Sequence, residues 1–591
     1  MPHSFPRFAA VLALLLFATG CSSNRAVSLA VSPQTAFVGS GQNTQFTATG
    51  TESNSAVTWA VNGVAGGTAT TGTIDASGDY SAPSVTQNAT ATVTATSAGK
   101  SASAAVSIVA PGVVTTTNEP QVAQYTIDPP ASANVSIEFG TDTSYGKTTW
   151  TQPTPTGGGP VSIYVAGMLA NTLYHMRAVI QFTGSNTVDD SDQTFTTGSL
   201  TPAMITPLTA TTTAGMTPQN GVELLDLTAG QSQYSVLVTE LAGNALWGYS
   251  PGPNLYSNGV KQLPNGDFLT ISTASSAVDG TGSVINEVDL GGNVVWSMTA
   301  AQLNAALAAA TCAGCNITVI GNHHDVAALP NGHLVLIASE ENSESGLTGE
   351  PSPVTVDGDV LIDLDQNHKP DWVWSEFDHL DLNRHPLGLP DWTHTNAVVY
   401  SPDDKDLIVS IRNQSWIVKI DYDDGQGTGN ILWKLGYQGN FTLMNGTDPV
   451  DWQYAQHDAN VASSNSSGVF QVMMFDNGNN RVMDDSGDIC GTSGQPACYS
   501  RVPIFQLDET AKTATIEWVD DLSPTFSSWG GNGRLLANGD IEFDECDLGS
   551  NSTIFEVTKT AVPEVVWQMQ IPTTNAYRGY RLPSMYPGVQ W

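Results

Sequence analysis

Four residues stand out for the chemistry they could do together. His324, His394 and His457 each open an apolar strand, seven, nine and eight residues ahead of the turn residues Asn331, Asp403 and Asn465. Arg412 ends the next apolar run after His394, Leu407-Ile408-Val409-Ser410-Ile411. An imidazole can attack an electrophile, carry a proton near neutral pH or bind a metal. An arginine beside such a cluster repels a cation and grips an oxyanion. The set therefore reads as a local cationic pocket for an anion, and a histidine-only metal site ranks second. Any one of these histidines could simply satisfy a backbone group or fill a channel. Their recurrence at matching places is what argues for a shared site.

The rest of the chain makes such a pocket necessary if the ligand is an anion. Acidic residues outnumber basic ones 56 to 19, and the formal charge is -37. That balance excludes nucleic acid as a partner, since nucleic-acid binding needs clustered Lys and Arg. It also gives no general attraction for anions, so the site must build its own field.

The elements that would position these residues repeat along residues 200–591. One phrase is a strand, a turn and a strand: Leu263-Pro264-Asn265-Gly266-Asp267, Leu329-Pro330-Asn331-Gly332-His333 and Leu536-Ala537-Asn538-Gly539-Asp540. Asn-Gly predicts a tight hairpin with both turn residues left-handed. A second phrase ends in tryptophan and occurs six times, at Trp247, Trp296, Trp374, Trp433, Trp518 and Trp567. Short strands with one aromatic signature per repeat predict a six-bladed β-propeller, so the fold class expected is all-β. The first strand of each blade should line the central channel. Counting back from each turn then places His324, His394, His457, Asn258 and Gly531 around one mouth, with His323, Asn396, Asn460 and Asn532 as neighbours. The second strand returns to the same mouth, which brings Arg412 there.

Two β-sandwich domains are expected ahead of the propeller. Residues 26–110 are rich in Thr, Ser, Ala and Val in alternation, and resemble bacterial immunoglobulin-like modules. Residues 112–199 resemble a fibronectin type III unit, with His175 read as a surface strand residue. Residues 1–21 read as a secretory signal: Arg7, an apolar run from Phe8 to Phe17, then Ala18-Thr19-Gly20-Cys21. The small residues before Cys21 resemble a lipobox, so Cys21 is expected to be acylated. Ser22 after it points to the outer membrane, giving an extracytoplasmic protein held to the membrane by lipid alone. Five other cysteines follow, and an oxidising compartment favours disulfides. Cys490 and Cys498 make the clearest pair. Cys312 and Cys315 could bridge or stay as thiols, and Cys546 is left over. The cysteine spacing does not make a zinc site.

The site phrases resemble those of the bacterial arylsulfate sulfotransferases. They are His323-His324-Asp325, Asp391-Trp392-Thr393-His394-Thr395-Asn396, Ser410-Ile411-Arg412-Asn413-Gln414 and Gln456-His457-Asp458-Ala459-Asn460. The resemblance implies a sulfuryl transfer from an aryl sulfate donor to a phenolic acceptor, with no nucleotide, cofactor or metal. It implies that His457 is the nucleophile. His394, Arg412 and Asn396 would hold the sulfuryl oxygens, with His324 or His323 contributing. His324 is the expected proton carrier. The family's site disulfide would correspond to Cys490 and Cys498. A late hydroxyl contact falls within Thr525-Phe526-Ser527-Ser528-Trp529-Gly530, without a choice among the three hydroxyls. Two other classes remain as alternatives: a non-catalytic binding lipoprotein and a metal-dependent propeller hydrolase or lyase.

Overall fold

The computed structural model describes residues 28–50, 55–201, 207–230, 234–252, 255–274, 280–520 and 525–591. The expected signal segment, residues 1–21 with Cys21, lies outside the described residues. The described chain is all-β apart from one α-helix, Ala300–Ala309, and short 3-10 turns. It divides into two compact units.

One unit comprises the chain up to Pro111 together with Gln181–Val188. Its longest strands, Ala89–Ser97 and Lys100–Val109, pair antiparallel through a tight turn. Val93, Ala95, Val106 and Ile108 alternate with exposed Thr and Ser along them, so one face is buried and one is wet. Phe46, Trp59 and Tyr80 fill the core that this face covers.

The other unit comprises Gly112–Ile180 and Asp189–Trp591. Within it, Val113–Thr116, Ala123–Ile127 and Val161–Val165 form one sheet. Ala133–Gly140 and Leu173–Phe182 are central in another. The chain's last residues return to these strands: Tyr586 Oη donates to the Tyr164 carbonyl at 2.9 Å, and Trp591 Nε1 to that of Thr148 at 2.9 Å.

The remaining strands make six sheets. Each has a strand at one edge, and in chain order each of these strands packs on the next. In chain order these edge strands are β1 (Leu255–Gln262), β2 (Gly321–Ala328), β3 (Thr395–Ser401), β4 (His457–Val461), β5 (Asn532–Leu535) and β6 (Thr574–Leu582). The strand beside each is apolar and almost wholly buried, as in Phe268–Ala274 and Asp406–Ile411. Burial on both faces explains why these strands read as continuous apolar runs rather than alternating ones. β6 is the exception to chain order. It pairs with Val222–Gly230, and so completes the sheet with which the array begins.

The six repeated tryptophans all lie on the fourth strand from β1–β6 in their sheets. Each reaches the last turn of the following sheet. Trp247 Nε1 donates to Leu290 O, Trp374 to Gly429 O, Trp433 to Glu509 Oε1 and Trp518 to Thr560 O. Trp567 donates to Leu241 O, which belongs to the first sheet. Trp296 instead stacks on His368, with ring centroids 4.0 Å apart.

The Pro-Asn-Gly turns differ from expectation. Only the glycines are left-handed, with φ of 87° at Gly266, 83° at Gly332 and 95° at Gly539. Asn265 Oδ1 instead accepts the Asp267 amide, and Asn331 and Asn538 do the same two residues on. In two of the three, proline fixes the first turn residue near -65°, which suits a type I turn closed by a left-handed glycine rather than a turn with two left-handed residues.

Candidate functional site

β1, β2, β4 and β6, with the residues flanking β3 and β5, bring their N-terminal ends to one cavity of about 470 Å³. His324, His394, Arg412 and His457 all line it, as do Asn258, Trp529, Asn575 and Tyr577. The four residues picked out by type and spacing are therefore together.

Local backbone turns the histidines inward. His324 and His394 are left-handed, with φ of 64° and 52°. A left-handed non-glycine residue costs about 1–2 kcal/mol, so its surroundings must hold it. At His394 the buried Asp359 does so, because it accepts the Thr393 hydroxyl at 3.1 Å and the Thr395 amide, one on each side. Glu376 accepts the Thr395 hydroxyl. Burial, then the neighbouring Asp359, hold the Glu376 carboxyl well above its usual range. His457 is placed differently. The left-handed residue there is Asp458, with φ of 52°, and His457 precedes it. The match of the three histidines is thus off by one residue in β4, although all three reach the cavity.

The protonation of His457 is fixed by its neighbours. Asn477 Nδ2 donates to the carbonyls of Ser527 and Gly530 at 2.8 and 3.0 Å. Its Oδ1 therefore faces His457 Nδ1, at 2.7 Å, and must accept a proton from it. The lone pair is left on Nε2, where the Gly530 amide approaches at 3.3 Å. Burial, and next the charge of Arg412, hold the pKa of His457 well below its ordinary value. The ring is neutral at physiological pH, with Nε2 as its basic atom.

His394 and His324 form a second pair. His394 Nδ1 lies 2.6 Å from Asp391 Oδ2, and its Nε2 lies 3.1 Å from His324 Nε2. One proton can sit between these two Nε2 atoms. Burial, then His323 and His394, lower the pKa of His324 well below normal. Burial alone would raise that of Asp391, but His394 and Arg412 bring it below the usual carboxylate value.

Arg412 is anchored through Nη1 to Asn413 Oδ1 at 2.7 Å and through Nη2 to Ser528 O at 3.1 Å. Its Nε is buried and has no partner. Tyr577 closes the wall, its ring stacked on His324 at 5.3 Å and edge-on to His457 at 5.9 Å.

His323 and Asn396 do not line the cavity. His323 Nε2 is engaged by Asp359 Oδ1 at 3.0 Å and Ser339 Oγ at 2.8 Å. Asn396 Nδ2 donates to Gln456 O at 2.8 Å. From the late hydroxyl stretch it is Trp529 that faces the cavity. Thr525 and Ser528 bond to Glu545 and Asp547, and Ser527 to the Trp529 carbonyl. Cys490 and Cys498 are bonded, with an S–S distance of 1.96 Å, in the loop that follows Asn477. Cys312 and Cys315 are also bonded, and Cys546 is a buried free thiol. Among the described residues, the group spaced to hold a metal is His333, Asp363 and Asp371, beside the turn after β2 rather than in the cavity.

The family profile of arylsulfotransferase (ASST) matches residues 204–581, which include every residue of this cavity. The chain belongs to the arylsulfotransferase family. Arylsulfotransferases move sulfuryl groups, so a donor and an acceptor are implied. No curated protein sequence matches the chain. Among solved structures it is similar to a protein of unknown function from Bacteroides caccae. The identity is 10%, the match covers 61% of this chain and 98% of that one, and the TM-score is 0.35. It is also similar to an apocarotenoid oxygenase variant from Synechocystis, at 11% identity, 78% and 95% coverage and a TM-score of 0.28. Likenesses this distant carry no argument about this arylsulfotransferase.

Tyr577, Asn477 and the role of Asp391 are absent from the sequence reading. For Asp391 a signal existed, since it stands three residues before His394 and could reach back to it.

Proposed function

We propose that this arylsulfotransferase carries a sulfuryl group from an aryl sulfate to a phenol through a covalent intermediate on His457. The observation that carries the reading is the neutral His457 ring, pinned through Nδ1 by Asn477 in a cavity that Arg412 and His394 also line. In the first step Nε2 forms a bond to sulfur, and the bond from sulfur to the aryl oxygen breaks. The leaving phenolate takes the proton shared by the Nε2 atoms of His324 and His394. In the second step the acceptor phenol returns a proton to this pair, its oxygen bonds to sulfur, and the Nε2–S bond breaks. Arg412 and His324 face the sulfuryl oxygens. Such transfers are loose and in line, so positioning and charge dominate over covalent help. His323 and Asn396 serve by fixing the backbone behind His394 and His457. Asp391 orients His394, as the third member of a nucleophile–base arrangement does.

The six sheets are read as the blades of a propeller. The cyclic tryptophan contacts and the pairing of β6 with the first sheet support that reading. The two segments before it, 26–110 and 112–199, are read as β-sandwich domains. Acylation at Cys21 and an outer-membrane address complete the proposal. Nitrophenolate release from 4-nitrophenyl sulfate tests the function. It should depend on added phenol and need neither nucleotide nor metal. Release that ignores phenol, or that a chelator abolishes, would favour the hydrolase reading.

The Asn477 contact predicts a pH effect. Asn477→Asp puts a carboxylate against Nδ1, which favours the protonated ring. The acid limb of kcat/KM should move up by about one to two pH units. A variant with an unmoved acid limb would show that His457 does not carry this ionisation.

Stability should respond to acid for the same reason. His324 and His457 bind protons less readily folded than unfolded. Their contribution is complete above the unfolded value, about 6.5, and is lost as pH falls below it. Thermal melts should show Tm falling as pH drops through that range, and the fall should be smaller in His324→Phe.

A further inference from the structure

A second cavity, of about 450 Å³, opens at the other ends of β1, β5 and β6. Lys261 and Gln262 of β1, Arg534 and Leu535 of β5, and Tyr580 to Leu582 of β6 line it. Lys261 Nζ lies 3.0 Å from Asp325 Oδ1, and Arg534 Nη2 lies 2.7 Å from Asp458 Oδ1. Buried Arg578 stands between the two carboxylates, 3.8 Å from Asp325 and 3.3 Å from Asp458. Three cations thus meet two carboxylates here, and Arg581 beside them meets Glu223, Glu542 and Glu556.

The cations face the cavity and the carboxylates do not. The side chains of Lys261 and Arg534 are 29% and 30% exposed, against 5% and 1% for Asp325 and Asp458. An ammonium has three donors and a guanidinium five, and each ion pair uses only part of that capacity. Arg581 is engaged by Glu223 and Glu556, at 3.1 and 2.8 Å. Glu542, also in the lining, lies 3.4 Å from Arg581 Nη2, and burial, then Glu223, push its pKa well above the usual carboxylate value. Leu224, Val260, Leu535 and Leu582 supply apolar wall.

We infer that this second cavity binds a small organic oxyanion, with its head on Lys261 and Arg534 and its apolar body on Leu224, Val260 and Leu535. Two fixed cations with spare donors and an apolar wall match a sulfonate, sulfate or carboxylate on a hydrocarbon frame. The inference stands apart from the transfer chemistry. Asp325 and Asp458 directly follow His324 and His457, so the same two carboxylates brace both cavities.

Equilibrium dialysis of the whole protein with 4-bromobenzenesulfonate tests it. The sulfur of this probe is bonded to carbon and cannot be transferred. A binding component is expected that Arg534→Met weakens about tenfold, as loss of a charged hydrogen bond does. Leu535→Trp fills the cavity without touching the ion pairs, and should abolish the same component. Arg412→Met should leave it unchanged, which separates it from binding at the histidines. Bromine anomalous signal between Lys261 and Arg534 would place it. The inference is overturned if no component responds to Leu535→Trp, or if the responsive one is lost equally in Arg412→Met. A protein that fails to transfer sulfuryl groups but keeps this component would sink the catalytic reading alone.

Discussion

His457→Ala should abolish phenol-dependent transfer, with kcat/KM falling by about ten-thousand-fold or more. Nothing else in the cavity can replace it. His324 Nε2 faces His394, and His394 Nδ1 faces Asp391, whereas His457 is pinned through Nδ1 by Asn477 and meets only the Gly530 amide, at 3.3 Å, on Nε2. Loss of the ring leaves Asn477 Oδ1 buried without its donor, a penalty of about 1–3 kcal/mol. That is small for a chain with a core of this extent, and the variant should fold with an unchanged circular dichroism spectrum. Added imidazole should restore part of the activity by attacking from the vacated space. Full activity in His457→Ala would remove the covalent route and leave direct transfer between donor and acceptor.

Arg412→Met should lower kcat roughly a hundred- to thousand-fold, about 3–4 kcal/mol of transition-state stabilisation. Arg412 is the one permanent cation lining the cavity among the described residues. Burial lowers its pKa, and Asp391 and then Tyr577 oppose the shift. Its two terminal nitrogens are anchored, so it need not reorganise as charge builds on the sulfuryl oxygens. The loss should fall mainly on kcat, because the donor carries its sulfate charge before and after reaction but spreads it most in the loose transition state. Arg412→Lys should recover little, since an ammonium cannot reproduce the anchored fork. A change confined to KM would make Arg412 a binding residue for the ground state.

Much of this site was legible because a repeating fold gives a sequence internal rulers. A turn phrase fixes one strand end, and counting back from it located His324, His394 and His457. The apolar run before Arg412 returned it to the same mouth. The rulers failed where the chain leaves its own order. β6 completes the first sheet from the far end of the sequence, and no turn phrase follows it. Tyr577 and Asn575 sit on that strand, so counting never reached them. Asn477 lies in a loop, where spacing carries no periodic signal. The count also missed by one residue at β4, because β1–β4 each carry a bulge near the cavity and these bulges differ in size. A bulge adds residues to one strand only and leaves no mark on the turn that follows. His323 drew notice as the neighbour of His324, yet a strand sends successive side chains to opposite faces. Asn396, two residues after His394, falls at the register shift between Thr395 and Ala397, where regular alternation breaks. Both point instead to partners behind the cavity.

The central claim is the bond between His457 and sulfur. Wild-type protein should be mixed with 4-nitrophenyl sulfate and no acceptor, and quenched at alkaline pH. A burst of one nitrophenolate per chain is expected, with one sulfuryl group recovered on the peptide that holds His457 and released when phenol is added before the quench. Steady release without a burst, or a burst with the sulfuryl group on another residue, would contradict it.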